Sequence, residues 1–319
     1  MTKSDNLSEA AAYGGRGWSP RKTSAREEIG TVWAACGLTN EWARLRAVLL
    51  HRPGSELEAS ADPDAVQMLA PLDPRLAQAE HDALAQAFLA VGVAVHHVAP
   101  ESPAPPNLMF VADLMFMTPE GVILARPASS VRAGEERLVA RRLTEIGIPI
   151  LRSLCGTAVF EGADAAWLDP HTVLISRGLR TNAEGVAQVT SALKDLGVKT
   201  IPVELPAGAM HLMGLLRFAD RDLAIAWPGR TPAGTITALR ECGYTVIDLP
   251  DEERETRRGM ALNFVTLGPR RILMPAGNPA MQSFFERHDI ECLTVTVGEL
   301  VKAAGGIGCL SGILWRDIE

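Results

Sequence analysis

The sequence of 319 residues is notable first for what it lacks. It has no run of about 20 consecutive apolar residues, the length that a membrane-spanning helix requires. It has no cluster of lysine and arginine, and its formal net charge of −7 argues against nucleic acid as a partner. The N-terminus has no apolar stretch of the signal-peptide type. These absences predict a cytoplasmic protein that acts on neither membranes nor nucleic acids.

Cysteine is also scarce. The five cysteines are Cys36, Cys155, Cys242, Cys292 and Cys309. Their odd number, their wide spacing and the lack of a CxxC motif exclude a disulfide scaffold and a zinc site of the usual spacing. The only glycine-rich candidate for a phosphate loop, "GGIG" near the end, precedes no long helix. We therefore expect free thiols and neither a metal nor a cofactor.

What the sequence does contain is a repeated pattern. Residues 1–28 are small and polar and are predicted to form a flexible tail, whereas residues 29–319 are predicted to form one catalytic domain. Within that domain the order strand, strand, helix, strand recurs in five units. Each unit is too small to bury its own apolar face, so the pattern favours an α/β propeller of five ββαβ blades with a central site. The alternative is an ordinary mixed α/β sheet, and the pattern alone separates the two only slightly.

Two acidic motifs are candidates for chemistry. Asp113 follows the apolar run in "NLMFVAD", where it either caps a turn or is a buried anion that binds a cationic substrate. The sequence favours neither interpretation. Glu161 and Asp164 flank a Gly-Ala bend in "FEGAD". Acidic residues are common in turns, so the pattern by itself favours a structural turn there.

A histidine and a cysteine complete a set. His211 lies among methionines and leucines in "GAMHLMGLL", where a core histidine is the commoner case. Its unperturbed pKa of about 6.5 nevertheless suits proton transfer near neutral pH. Cys309 lies in the glycine-rich "GGIGCLSG", either as a small buried hydrophobe or as a nucleophile. One cysteine, one histidine and two or three acids are what a cysteine nucleophile with a histidine acid/base needs.

Arginines in loop-like stretches are candidates for binding a substrate carboxylate. They are Arg126, Arg132 and Arg180, in "ARPASSVR" and "RGLRTN". A guanidinium can clamp a carboxylate through two parallel hydrogen bonds. For any single one of them, exposure on the surface is the commoner explanation.

Taken in order, these stretches resemble the guanidine-modifying (pentein) superfamily of arginine deiminases, dimethylarginine dimethylaminohydrolases and amidinotransferases. The resemblance covers about residues 40–319 and includes "AVLLHRPGSEL", "NLMFVAD", "ILARPASSVR", "FEGAD", "RTN", "HL" and "GGIGCLS". It is greatest to the dimethylargininase branch. It implies a five-bladed α/β propeller with the site on its axis.

The resemblance also implies roles. Cys309 matches the nucleophile that forms a covalent thiouronium, and the neighbouring glycines would let the backbone approach the substrate. His211 matches the acid and base, and Glu161 matches the carboxylate that orients it. The implied binding residues are Asp113 for the guanidinium nitrogens, Arg132 and Arg180 for the substrate carboxylate, Asn107 and Phe110 for the pocket wall, and Asp164 as support.

Two positions depart from the family pattern. Deiminases carry Arg and dimethylargininases carry Glu just before the guanidinium-binding Asp, where this chain has Ala112. Deiminases carry Asp two residues after the histidine, where this chain has Met213. An apolar wall would leave donors of a free guanidinium unpaired, at about 1–3 kcal/mol each. We therefore expect an N-alkylated guanidine whose alkyl groups contact Met213, or a less basic amidine or guanidino analogue.

The expected function is hydrolysis of a C–N bond in a substituted, dimethylarginine-like guanidine, which gives a ureido product and an amine. The alternatives are an amidinotransferase, an arginine deiminase or dihydrolase, a non-catalytic propeller that binds a partner, and a former enzyme that only binds. The expected partner is a small guanidino compound. The sequence leaves open whether the chain forms a homo-oligomer and whether residues 55–75 form a lid.

Overall fold

The computed structural model describes residues 18–58, 60, 62–101 and 104–318. The α-helices are α1 (Ala25–Glu28), α2 (Pro74–Ala90), α3 (Glu135–Glu145), α4 (Ala183–Asp195), α5 (Ala233–Glu241), α6 (Pro279–Glu286) and α7 (Ile307–Leu310). The strands are β1 (Leu45–Leu50), β2 (Ala94–His97), β3 (Met115–Thr118), β4 (Gly121–Leu124), β5 (Ile150–Ser153), β6 (Ala165–Asp169), β7 (Thr172–Arg177), β8 (Lys199–Glu204), β9 (Leu216–Asp220), β10 (Leu223–Ala226), β11 (Thr245–Asp248), β12 (Val265–Gly268), β13 (Arg271–Pro275), β14 (Glu291–Val295) and β15 (Gly312–Arg316).

The strands form five small sheets of three strands each. In every sheet the middle strand pairs antiparallel with one neighbour and parallel with the other. A helix makes each parallel connection, since a parallel pair cannot be joined by a tight turn. The prediction of five repeated α/β units is thereby confirmed as a mixed α/β fold of five small sheets.

The first sheet is completed by the end of the chain, which the sequence pattern did not predict. Its order is β15-β1-β2, and β15 pairs antiparallel with β1. Arg46 on β1 also forms an ion pair with Asp317, with 2.6 Å between Nε and Oδ1. The last strand therefore joins the first unit to the end of the repeat, and the short helix α7 lies directly before it in the sequence.

Local sequence explains where the longest helix begins. Asp73 is the N-cap of α2, and its Oδ1 accepts hydrogen bonds from the backbone N–H groups of Arg75 and Leu76. Pro74 occupies the first helical position, where a backbone N–H would have no partner within the helix, so the missing N–H of proline costs no hydrogen bond. Gly92, with φ of +81°, ends the segment in a conformation that favours glycine. The predicted helix in this stretch is confirmed.

The start of the chain differs from the predicted tail. Ala25–Glu28 form one helical turn, in which Ser24 and Glu27 make a reciprocal capping box. Glu28 is buried and accepts a hydrogen bond from Thr23. The ordered chain therefore starts before residue 29, while residues 1–17 of the predicted tail lie outside the described residues.

The middle strand and the antiparallel edge strand of each sheet are more buried than the parallel edge strand, as in the sheet of β3, β4 and β5. Every residue of β4 and of β10 is buried, as their continuous apolar sequences require. In the described part of the chain, no helix has the length and apolar character needed to cross a membrane.

Candidate active site

The candidate residues occupy equivalent places in successive units. In each sheet, one edge strand runs antiparallel to the middle strand, and a short turn precedes that edge strand. Asp113, Glu161, His211, Asn263 and Cys309 lie in or beside the turns that precede β3, β6, β9, β12 and β15. The repeated topology therefore brings together residues that are separated by about 50 positions in the sequence. Sequence reasoning named four of the five and missed Asn263.

His211 is held by carboxylates. Its Nε2 lies 2.7 Å from Oε2 of Glu161, and its Nδ1 lies 3.9 Å from Oδ1 of Asp113. Burial alone would lower the pKa of His211, but Asp113, Glu161 and Asp164 outweigh it and raise that pKa to about 9. The imidazole is therefore a cation near neutral pH.

Glu161 is the ionised partner of that imidazolium. It is fully buried, and burial by itself raises the pKa of a carboxyl. The hydrogen bond and charge of His211, with the charges of Arg132 and Arg180, prevail and lower the pKa of Glu161 to about 2. The backbone N–H of Ala128 also donates to it, at 3.2 Å. Glu161 thus fixes both the charge and the orientation of the histidine.

Asp164 lies behind these two residues. Its carboxylate accepts hydrogen bonds from the hydroxyls of Ser176 and Thr181, both at 2.7 Å, and from the N–H of Leu212 at 3.1 Å. Burial raises the pKa of Asp164. Because Leu212 directly follows His211, this carboxylate anchors the turn that carries the histidine. It does not line the pocket, and its supporting role stays a prediction.

The two arginines predicted to bind a substrate carboxylate have different surroundings. Arg132 is buried, and its guanidinium lies 2.6 Å from Asp113, 2.9 Å from Glu135 and 3.6 Å from Glu161. Arg180 makes a longer contact, 3.4 Å from Glu161, and its side chain is 13% exposed at the pocket. Arg180 is thus the one of the two whose guanidinium has capacity left for a ligand. The assignment of Arg132 to the same task stays a prediction.

The third arginine that the sequence singled out has a structural contact. Arg126 donates from Nη1 to the backbone oxygen of Ala158, at 2.9 Å. It does not line the pocket that holds His211 and Cys309.

Cys309 lies on α7 with an amide as its nearest polar neighbour. Nδ2 of Asn263 lies 3.0 Å from Sγ, and Oδ1 of the same side chain accepts the N–H of Cys309 at 3.2 Å. Burial and the charge of Asp113 raise the pKa of the Cys309 thiol, while Asn263 and Arg217 oppose that rise. The free protein therefore holds a thiol more than a thiolate. Neither Asn263 nor Arg217 was predicted, since each stands alone in an apolar stretch without a motif.

The glycines before Cys309 serve packing within the protein. A Cβ at Gly305 would overlap the ring of Phe110, and one at Gly308 would overlap Nη2 of Arg217. The expectation that they let the backbone approach a substrate stays a prediction, and Gly305 lines the same pocket as Cys309. The glycines admit Phe110, which lines the pocket, and Arg217, which adjoins the nucleophile segment.

These side chains surround a small cavity of about 30 Å³. The predicted residues on its wall are Asn107, Phe110, Asp113, Arg132, Arg180, His211 and Cys309. Gln67, which was not predicted, lies on the same wall. It belongs to the 55–75 segment, where Leu69 and Ala70 donate to the backbone oxygen of Lys302; residues 59 and 61 are outside the described residues.

Met213 and Ala112 do not lie on this wall. Met213 lines an adjacent cavity, which shares His211 and Cys309 with the first. The carbonyl of Ala112 instead packs close to Gly162. Met213 therefore adjoins His211 and Cys309 from the second cavity, whereas Ala112 lines neither cavity; the contact of an alkyl group with Met213 stays a prediction.

One trio has metal-ligand spacing in space, although not in sequence. Ligand atoms of Asp113, Glu161 and His211 lie within 4.8 Å of one another, the one such group among the described residues. The guanidinium of Arg132 already pairs with Asp113 and adjoins Glu161, so a cation is present between these carboxylates. The trio suits a guanidinium at least as well as a metal ion.

Comparisons with known proteins identify the family of the chain. The family model described as N,N dimethylarginine dimethylhydrolase, eukaryotic, matches residues 72–312. The N(G),N(G)-dimethylarginine dimethylaminohydrolase of Pseudomonas aeruginosa is 25% identical over 233 residues, which are 73% of this chain and 86% of the relative.

Solved structures share the fold. A cysteine-to-serine mutant of the Pseudomonas aeruginosa dimethylarginine dimethylaminohydrolase, complexed with citrulline, superposes with a TM-score of 0.69 at 20% identity, covering 86% of this chain and 100% of that one. An amidinotransferase from Microseira wollei superposes with a TM-score of 0.72 at 15% identity, covering 88% of this chain and 97% of that one. At these identities the superpositions show the fold alone.

Proposed function

Because the chain belongs to the N,N-dimethylarginine dimethylhydrolase family and is thus a hydrolase of C–N bonds, we propose that its substrate is an Nω-methylated arginine. The products are citrulline and a methylamine. The observation that carries the proposal is that Asp113, His211 and Cys309 line one cavity, with Glu161 held behind His211 at 2.7 Å. An anion for a guanidinium, a proton donor and a sulfur nucleophile are there within reach of one substrate carbon.

Asp113 is proposed to bind the guanidinium. Oδ2 of Asp113 accepts a hydrogen bond from Arg132. Its Oδ1 is buried and has no hydrogen-bond partner among the described residues. A buried acceptor without a partner is unfavourable, and a guanidinium N–H would satisfy it. Arg180 then binds the substrate carboxylate at the other side of the cavity.

Cys309 is proposed to attack the guanidinium carbon. The positive charge of the bound substrate opposes the effect of Asp113 and lowers the pKa of the thiol, so that Sγ loses its proton to solvent. A C–S bond forms and the bond from that carbon to the methylated nitrogen breaks. The result is a covalent S-alkylthiouronium on Cys309 and a free amine.

His211 is proposed to supply and then remove protons. As an imidazolium it gives its proton to the leaving amine, which departs neutral and takes a further proton from solvent. The neutral imidazole then accepts a proton from water, whose oxygen adds to the thiouronium carbon. Breakage of the C–S bond gives citrulline and restores Cys309. Overall one dimethylarginine cation and one water give citrulline and one dimethylammonium ion.

We also propose that residues 29–319 form one domain in which the five sheets surround an axis as the blades of a propeller. Two observations support this. The five turns that carry the site residues meet at one place, and β15 pairs with β1 and so links the two ends of the repeat. A ring of blades satisfies both.

Mass spectrometry of reaction products tests the function. The panel is arginine, monomethyl- and dimethylarginine, each with and without an acceptor amine. Citrulline with methylamine or dimethylamine, independent of the acceptor, supports the proposal. Transfer of the amidine group to the acceptor would show an amidinotransferase, and ammonia from plain arginine would show a deiminase.

A further inference from the structure

The second cavity borders the reacting centre and is much roomier than the first. It has a volume of about 260 Å³, against about 30 Å³ for the first. Since a cavity needs about 10–15 Å³ to hold one water, the first accepts a group of only a few atoms, whereas the second has room for a much larger one. Both cavities reach His211 and Cys309. A ligand group that enters the second cavity therefore lies next to the proton donor and the sulfur.

The wall of the second cavity is mainly apolar. Its large apolar side chains are Met210, Met213, Leu215, Trp227, Met260 and Leu262, and two arginines, Arg230 and Arg257, also line it and disfavour a cationic group there. It has no carboxylate on its wall, whereas the first cavity has Asp113. A guanidinium or an ammonium group therefore belongs in the first cavity, and an uncharged hydrocarbon group belongs in the second.

The chemistry decides which part of a substrate enters it. The bond that breaks joins the guanidinium carbon, at Sγ of Cys309, to the nitrogen that His211 protonates. A substituent on that nitrogen extends past His211, and the second cavity opens there. Methyl groups would fill little of its volume.

We propose that the preferred substrates carry an apolar Nω-substituent larger than methyl, such as an alkyl chain of three to six carbons, which occupies this cavity. This inference rests on the proposed function and specifies its substrate class. Burying a methylene stabilises a complex by about 0.8 kcal/mol, or about fourfold in affinity. Because the alkyl group stays in the cavity while the amine departs, the same gain stabilises the transition state and raises kcat/KM.

The test is a chain-length series of Nω-methyl-, Nω-propyl- and Nω-pentyl-arginine, with kcat/KM from the released amine. We expect kcat/KM to rise by about fourfold for each added methylene, until the cavity is full. A matched variant fills the cavity. Gly214 lines it, and a Cβ there would meet no heavy atom within 4 Å. Gly214→Leu should lower the pentyl-to-methyl ratio of kcat/KM more than tenfold.

The control is Gly234→Leu, because Gly234 is exposed on α5 and is equally free of contacts around an added Cβ. It should leave the ratio unchanged. Turnover of methylarginine with no gain along the series, or a ratio that Gly214→Leu does not change, overturns the inference and leaves the proposed function intact. If no N-substituted arginine is turned over, both fail. If Gly214→Leu does not fold, the chain-length series of the wild type still decides.

Discussion

Two buried histidines show how differently the same side chain behaves in two regions of this molecule. His211 is 6% exposed and His81 is 0% exposed, so burial hardly distinguishes them. Carboxylates raise the pKa of His211 to about 9, whereas burial, His97 and His51 lower the pKa of His81 to about 3. The sign of the shift therefore follows from the charged neighbours and not from depth in the core.

Among the described residues, the acids Glu56 and Asp82 near His81 are already paired. The ring of His81 lies 5.8 Å from that of His97, and neither of its nitrogens has a hydrogen-bond partner among the described residues. The nearby Glu56 is bound to His51 at 3.0 Å, and Asp82 pairs with Arg52. His81 is neutral and structural, whereas His211 is charged and suited to proton transfer.

The largest expected effect comes from removing the carboxylate that makes His211 different. Glu161→Gln keeps the size of the side chain but removes its charge, so the pKa of His211 should fall. General acid catalysis contributes roughly 100- to 10,000-fold, and turnover should fall by that order. In the wild type, turnover should decline as pH rises through about 9, and the variant should lose it at lower pH. Steady-state rates against pH, with NMR titration of the imidazole, measure both.

The matched control is Glu56→Gln, which removes the acid beside His51 in the other region. It should leave the alkaline limb of the pH profile unchanged. If Glu161→Gln were as active as the wild type with the same alkaline limb, the carboxylate would not control His211.

A medium effect is expected for His81→Leu on the free energy of unfolding. At pH 7 the change removes two buried nitrogens without partners, so it should stabilise the protein by about 1 kcal/mol. The gain should grow as pH falls, because the unfolded wild type takes up a proton near pH 6.5 and the folded one only near pH 3. Near pH 4 the stabilisation of His81→Leu relative to the wild type should reach on the order of 3 kcal/mol. Urea denaturation of both proteins measures it.

The same reasoning gives the opposite sign for His211. Its folded pKa is raised, so its contribution is fully present below pH 6.5 and is lost as pH rises through about 9. The wild type should therefore lose stability at both acidic and alkaline pH. His81→Leu should reduce only the loss at acidic pH. The interpretation of His81 as a neutral buried residue would be contradicted if His81→Leu stabilised the protein equally at alkaline pH. It would also be contradicted if the variant were less stable than the wild type at pH 5.

The smallest effect is expected at Met213, which lies in the second cavity beside His211. Met213→Asp adds a carboxylate and removes apolar surface. It should raise the ratio of kcat/KM for arginine over dimethylarginine by about tenfold. Met213→Leu keeps the apolar wall and should leave the ratio near that of the wild type. An unchanged or reversed ratio in the Asp variant would show that Met213 does not contribute to selectivity.

The sequence was informative where function depends on local patterns. The five repeated units appeared because strand and helix periods are short-range signals. β15 was missed because its pairing with β1 joins residues more than 260 positions apart, for which no local signal exists. Cys309, His211 and Asp113 were singled out because their residue types are unusual in apolar or glycine-rich surroundings, whereas Glu161 received its role from the family resemblance.

The remainder of the site depends on contacts between distant segments. Asn263 is one amide in "LNF", and only the fold places it 3.0 Å from Sγ of Cys309. Glu161 and Asp164 looked like ordinary turn residues, yet both are fully buried. The engagement of Arg132 by three carboxylates and the position of Met213 in a second cavity likewise depend on how the units pack.

The central claim is that Cys309 forms a covalent bond to the guanidinium carbon. The most direct measurement is mass spectrometry of the intact protein, acid-quenched during turnover of dimethylarginine and followed by peptide mapping. The account predicts a mass increase equal to the substrate minus dimethylamine on the peptide that contains Cys309, and neither adduct nor turnover in Cys309→Ser. Steady turnover by Cys309→Ser, or an adduct on a different residue, would contradict it.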